Sequence, residues 1–208
     1  MNQYLFLFSI TPVQRYIEQA RKTQDLYAGS FILSYLCHKA IQAAAIPEDR
    51  LIFPKFNYDA PPQSLSNRFL ALVQQEIDDE QPEEAILKAR GEAIQAQVEE
   101  TFMAIAEKAI PENTDYQISY QAQVKDYLTI QWAFLPLEDG QYAETYDELE
   151  RMMGAIKHVR AFGQLSERGR KCSVCGERNV KFYRKNEREQ DTKGSLLKHG
   201  NCLQKMCT

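Results

Sequence analysis

The run Tyr4-Leu5-Phe6-Leu7-Phe8-Ser9 constrains this chain more than any other feature. It is aromatic and aliphatic and carries no charge, so it reads as a buried strand. It leads directly into Thr11-Pro12. Thr11 is a candidate helix N-cap, and Pro12 suits a first helical turn. Val13, Tyr16, Ile17 and Ala20 then recur at helical spacing, which predicts a helix with one face on a sheet. Gly29-Ser30 is expected to break the pattern or cap a new start. Phe31 to Ala45 reads as a second, strongly apolar helix ending before Pro47.

The remaining pattern completes an α+β order. Leu51-Ile52-Phe53 before Pro54 predicts a short strand, and Lys55 to Ser66, with Pro61-Pro62, a loop. Asn67 to Val73 is a candidate strand. Pro82 to Ile110 predicts one long helix with Ile86, Ala89, Ala93, Val98, Phe102 and Ile105 as its apolar positions. Tyr116 to Lys125 fits helix or strand. Leu128 to Leu135, around the single tryptophan, predicts a strand. Tyr142 to Phe162 predicts a helix with Leu149, Met152, Met153, Ile156 and Val159 on one face. Setting aside one inserted helix leaves βαββαβ, a ferredoxin-like arrangement. The expected division is a ferredoxin-like domain at 1–140, a connecting helix and linker at 141–166, and a cysteine-rich module at 167–208.

A chain of 208 residues supports one such domain with a small appendage. No apolar run approaches the roughly 20 residues of a membrane span. The start, Met1-Asn2-Gln3, has no basic stretch before its apolar segment, so a cytoplasmic location without signal peptide is expected. The net charge of −4 conceals an asymmetry. Residues 167–208 carry 11 Lys and Arg against 5 Asp and Glu, leaving 14 basic and 24 acidic residues in the remainder. The basic end either faces a polyanion or is a solvated polar module.

Four of the five cysteines lie in the last 37 residues. Such clustering in a cytosolic chain points to a metal rather than to disulfides. Cys172-x₂-Cys175-Gly176 can hold two corners of a Zn²⁺ tetrahedron, with the glycine permitting the tight turn. Cys202 and Cys207 supply a second, wider pair, and His199 is an alternative ligand. The site reads as structural zinc. Cys37, inside an apolar helix, reads as inert core.

Other chemistry is sparse. Arg21-Lys22-Thr23-Gln24-Asp25 gathers two cations and a carboxylate, which suits a phosphate or ribose and equally suits a surface ion pair. No glycine-rich phosphate loop, nucleophile elbow or adjacent His-Asp pair occurs. Asp78-Asp79 and Glu99-Glu100 fall in or beside acidic helical surface and read as solvated. No complete catalytic constellation is present.

Residues 10–34 resemble the N-terminal Palm region of the large subunit of type III-B CRISPR (Cmr) effector complexes. Pro12, Val13, Gln14, Ile17, Ala20, Arg21, Thr23, Asp25, Leu26, Gly29 and Ser30 match its pattern residue by residue. Ile52-Phe53-Pro54, Asn67-Arg68-Phe69, Gln131-Trp132 and Lys171-Cys172-Ser173-Val174-Cys175-Gly176 are similar to later family blocks. Thr11 stands where the family has Gly, and Cys202-x₄-Cys207 is wider than the family's C-x₂-C. The resemblance implies a first Palm domain and the opening of a zinc module, ligated by Cys172, Cys175, Cys202 and Cys207.

For the complete subunit, the resemblance implies ATP conversion to cyclic oligoadenylate, with Mg, in antiviral defence. Implied partners are other Cmr subunits, CRISPR RNA and target RNA. The G-G-D-D motif of the second Palm is not in this sequence, so the chain is expected to be a fragment, inactive alone. Gln14, Arg21, Asp25 and Ser30 become candidates for the nucleotide-facing edge. Arg21 would meet phosphate, Gln14 and Ser30 base or ribose, and Asp25 would orient Arg21. Alternatively these residues fix the strand–helix junction. The competing function is a stand-alone RNA- or protein-binding module with a basic zinc tail, in which exposed sheet aromatics would meet RNA.

Overall fold

Strand β1 (Asn2–Thr11) forms an inner strand of a four-stranded antiparallel sheet ordered β2-β3-β1-β4. The computed structural model describes residues 2–17, 20, 22–60, 62–76, 82–109, 124–125 and 127–158. In chain order, β1 is followed by α1 (Val13–Ile17), α2 (Thr23–Ala43), a 3₁₀ turn (Glu48–Arg50), β2 (Leu51–Phe53) and β3 (Arg68–Gln75). The long helix α3 (Glu83–Lys108), β4 (Thr129–Pro136) and α4 (Tyr142–His158) complete it. The segments Tyr116 to Lys125 and Phe162 onward lie largely or wholly outside the described residues.

An inner strand covered on both faces favours uncharged, mostly apolar side chains, which is why Tyr4 to Ile10 carries no charge, with Ser9 its small polar exception. Its residues alternate between two cores. Phe6, Phe8 and Ile10 point into a large cluster with α2 and α3, while Leu5 and Leu7 point into a smaller one with Leu149 and Met153 of α4. In register, Phe8 lies opposite Phe69 and Trp132, and Phe6 opposite Ala71 and Phe134. Phe6 stacks on Phe134 at 4.1 Å and meets Phe69 edge-on at 5.4 Å, a favoured pair of ring geometries.

Two close approaches fix α3 to its neighbours. A Cβ at Gly91 would lie 2.5 Å from the Trp132 ring, so only glycine lets this helix reach β4 so closely. The indole Nε1–H donates to Gln95 Oε1 at 3.1 Å. Arg90 donates to the Ala44 carbonyl at 3.0 Å and Gln75 Oε1 at 3.1 Å, satisfying the end of α2. Burial lowers the pKa of that guanidinium below its usual value.

Several sequence expectations change. Thr11 ends β1 rather than capping α1, and its hydroxyl donates to the Thr129 carbonyl at 3.0 Å. Gly29-Ser30 neither breaks nor starts a helix; both lie inside α2. Burial of Leu33, Leu36, Cys37, Ala40 and Ile41 holds this helix together, outweighing the ~1 kcal/mol helical cost of one glycine. On α3 the buried stripe is Gly91, Ile94, Val98, Phe102 and Ala106, whereas Ala89 and Ala93 are exposed. On α4, Leu149 and Met153 are buried but Met152 and Ile156 face solvent, because only one narrow seam of this helix meets the sheet.

Candidate functional site

Two of the blocks singled out in the sequence, residues 10–34 and Asn67-Arg68-Phe69, meet at the corner where β1 leaves the sheet. Ile10 N–H donates to the Asn67 carbonyl, and the Asn67 side-chain amide donates back to the Ile10 carbonyl, each at 2.9 Å. This reciprocal pair joins the exit of β1 to the start of β3. Ser34, buried on α2, joins the same loop to the helix. Its hydroxyl accepts from Leu65 N–H at 3.1 Å. The single hydroxyl proton is shared between the Ser30 carbonyl at 3.0 Å and the Leu65 carbonyl at 3.1 Å.

Around this corner the candidate residues take distinct positions. Gln14 is exposed on α1, between Val13 and Ile17, which pack against the larger core. Asp25 sits in the first turn of α2, after Lys22 in extended conformation, and its N–H donates to the Lys22 carbonyl at 2.9 Å. A carboxylate there favours the helix N-terminus by about 0.3–1 kcal/mol. Ser30 is half-buried one turn before Ser34. Because α2 is continuous, Asp25 and Ser30 are separated by about 140° around its axis. One helix face therefore does not present both. Arg21, Cys172, Cys175, His199, Cys202 and Cys207 lie outside the described residues.

The Asn67-Arg68-Phe69 block divides its labour. Phe69 is in the large core, while Arg68 points through the opposite sheet face to Glu150 of α4, with which it forms an ion pair. Tyr146 donates to the same carboxylate at 2.8 Å, and that bond raises the tyrosine pKa. Ser9 lies between Arg68 and Gln131 in register; the side-chain oxygens of Ser9 and Gln131 are buried with no hydrogen bond among the described residues.

Other reactive groups are structural. Burial pushes the Cys37 thiol up to about 12, which keeps it protonated and unreactive, as expected from its apolar helix. Burial, then the Lys39 charge, lowers the pKa of His38, whose ring meets Phe56 edge-on at 6.0 Å. Among the described residues, no three His, Cys, Asp or Glu gather as a metal site. Glu99 and Glu100 are exposed on α3, and Asp78-Asp79 lie outside the described residues. The sheet aromatics Phe6, Phe8 and Phe69 are fully buried.

Sequence reasoning missed Ser34 and the role of Asn67. Ser34 left one trace: it is the sole polar residue on the buried stripe of α2, and a buried hydroxyl needs partners. The corner thus offers the exposed Gln14 amide, a carboxylate at a helix start and a fastened loop.

Residues 5–135 match the sequence model of a family described as CRISPR-associated protein Cmr2, N-terminal. No curated protein sequence matches the chain. Three solved structures show similarity over 76% of this chain. They are a Csm1-Csm4 cassette in complex with pppApApA (13% identity, TM-score 0.41), Csm1 in T.onnurineus (14%, 0.39) and a Csm1-Csm4 cassette in complex with cA3 (16%, 0.40). The chain spans only 19–20% of their length, and likeness at this level carries no functional weight.

Proposed function

Because the chain belongs to the family of the N-terminal region of the CRISPR-associated protein Cmr2, we propose that it is the first Palm region of a type III-B effector large subunit. In this reading it contributes to assembly with other Cmr subunits, CRISPR RNA and target RNA, and forms one side of an ATP site for cyclic oligoadenylate synthesis. Residues 1–140 form a ferredoxin-like Palm, 141–166 a connecting helix and linker, and 167–208 a module in which Cys172, Cys175, Cys202 and Cys207 hold a structural zinc. Antiparallel strand order β2-β3-β1-β4, with α2 and α3 against one face, supports the ferredoxin-like assignment.

The observation that carries the site is the fastened corner. Ser34 and Asn67 lock together the β1 exit, the Ser30 turn of α2 and the loop before β3. Such a brace holds polar groups in place without reorganisation when a ligand arrives. Gln14 and Ser30 supply hydrogen bonds to base or ribose, Arg21 supplies charge to phosphate, and Asp25 orients Arg21. Bound ATP with Mg would supply the reacting phosphates in the complete subunit. The test is Arg21→Ala and Ser30→Ala in the full-length subunit within its complex. ATP conversion is expected to fall at least about tenfold. Unchanged conversion in both variants overturns the reading.

A further inference from the structure

The outer face of α2 carries three aromatic rings in the open. Tyr27, Phe31 and Tyr35 are 63%, 48% and 38% exposed. Their centroids lie 6.3 and 6.5 Å apart, with planes within 21° of parallel. Recurring every four residues, they make one continuous stripe. The buried face of the helix, with Leu33, Leu36, Cys37, Ala40 and Ile41, points the other way. A contiguous exposed stripe of this kind marks an interaction surface rather than a packing need.

Beside the stripe, α2 and α3 bound a groove of about 510 Å³. Its lining includes Tyr35, Lys39 and Ala43 of α2 and Glu100, Thr101 and Ala104 of α3. Small residues leave room along the floor, and the walls carry opposite charges. Lys39 stands on the α2 side, its ammonium 5.5 Å from the Tyr35 ring centre, and the exposed Glu100 stands on the α3 side. From Tyr27 to Ala43 the surface is about 24 Å long, the length of a helix of roughly 16 residues.

We propose that this stripe and groove receive an amphipathic helix of a partner protein. Apolar residues spaced three and four apart on that helix cover Tyr27, Phe31 and Tyr35. A basic residue faces Glu100 and an acidic one faces Lys39, which fixes the direction of the helix in the groove. The Glu100 carboxylate opposes a phosphate backbone, so a nucleic acid fits this surface less well than a protein does. Exposed lining on both walls gives a small molecule little enclosure. Ser30 lies three residues after Tyr27 on the same helix, so the stripe borders the corner, but the partner-helix reading uses neither Gln14 nor Ser30 and does not depend on the nucleotide reading.

The test places the photo-crosslinker p-benzoylphenylalanine at position 31 of the full-length protein in its purified native complex, with position 142 on α4 as the control site. Mass spectrometry of the adduct is expected to return a peptide from another protein with apolar residues at helical spacing and a basic residue beside them. Glu100→Lys is then expected to lower the adduct yield at least about tenfold. Exchanging the partner's facing basic residue for Glu restores it. An adduct to nucleic acid, to another segment of the same polypeptide, to a second copy of this chain or to a peptide without that spacing overturns the proposal. So does an absent adduct at 31, or a yield indifferent to the Glu100 exchange.

Discussion

The two faces of the sheet are built from the same strands and held by different means. On the α2/α3 face, Phe6, Phe8 and Phe69 interlock in a large, fully buried cluster. On the α4 face, six buried residues meet among the described residues, Leu5, Leu7, Leu70, Ala133, Leu149 and Met153. A polar clamp of Arg68, Glu150 and Tyr146 sits beside them. One helix seam with a partly exposed ion pair is a weaker attachment than a layer of two packed helices. Helix α4 is therefore the separable layer, and the α2/α3 face carries the cooperative fold.

The largest expected effect tests the aromatic face. Phe6→Ala removes a fully buried ring stacked on Phe134 and edge-on to Phe69. It is expected to cost about 3–5 kcal/mol in urea unfolding and to affect the whole sheet. Loss confined to one helix would break the comparison. Leu149→Ala comes next, at about 2 kcal/mol, the low end for a buried leucine because few neighbours surround it. Hydrogen exchange should rise across residues 142–158 while β1 and β3 keep their protection. Uniform loss of protection would show that the two layers unfold together. The smallest effect is Glu150→Gln, about 1 kcal/mol or less, and its difference from the parent should shrink with added salt. A salt-insensitive loss of several times that size would mean the clamp, not the apolar seam, holds α4.

Much of this architecture was legible in the residues. Inner strand β1 stands out because burial on both faces leaves no room for charge, and edge strand β4 because its run around Trp132 is uncharged although mostly half-buried. Helix α2 was legible only in part. Gly29-Ser30 is local punctuation, and the apolar seam from Leu33 to Ile41 overrides it through contacts with distant strands. On α3, alanine misleads because it is at home on either face: Ala89 and Ala93 are exposed, whereas Ala106 is buried. The same uncertainty reached the candidate site. Whether Asp25 and Ser30 share a ligand depends on whether one helix runs through both, and one does. The brace formed by Ser34 and Asn67 depends on a loop 31 and 57 residues away from its partners, which no local pattern reports.

The place of β1 in the sheet also governs how the chain emerges from the ribosome. Its two neighbours are β3, which arrives with residues 68–75, and β4, which arrives only with residues 129–136. A nascent chain that has reached the end of α3 can pair one side of β1, but the other side still lacks its partner strand. Throughout that interval of synthesis, its most apolar strand offers an open row of backbone donors and acceptors, the feature that recruits foreign strands. Strand β1 is therefore made before both of its partners and is among the last of these strands to be shielded, and a nascent-chain chaperone has most to protect there.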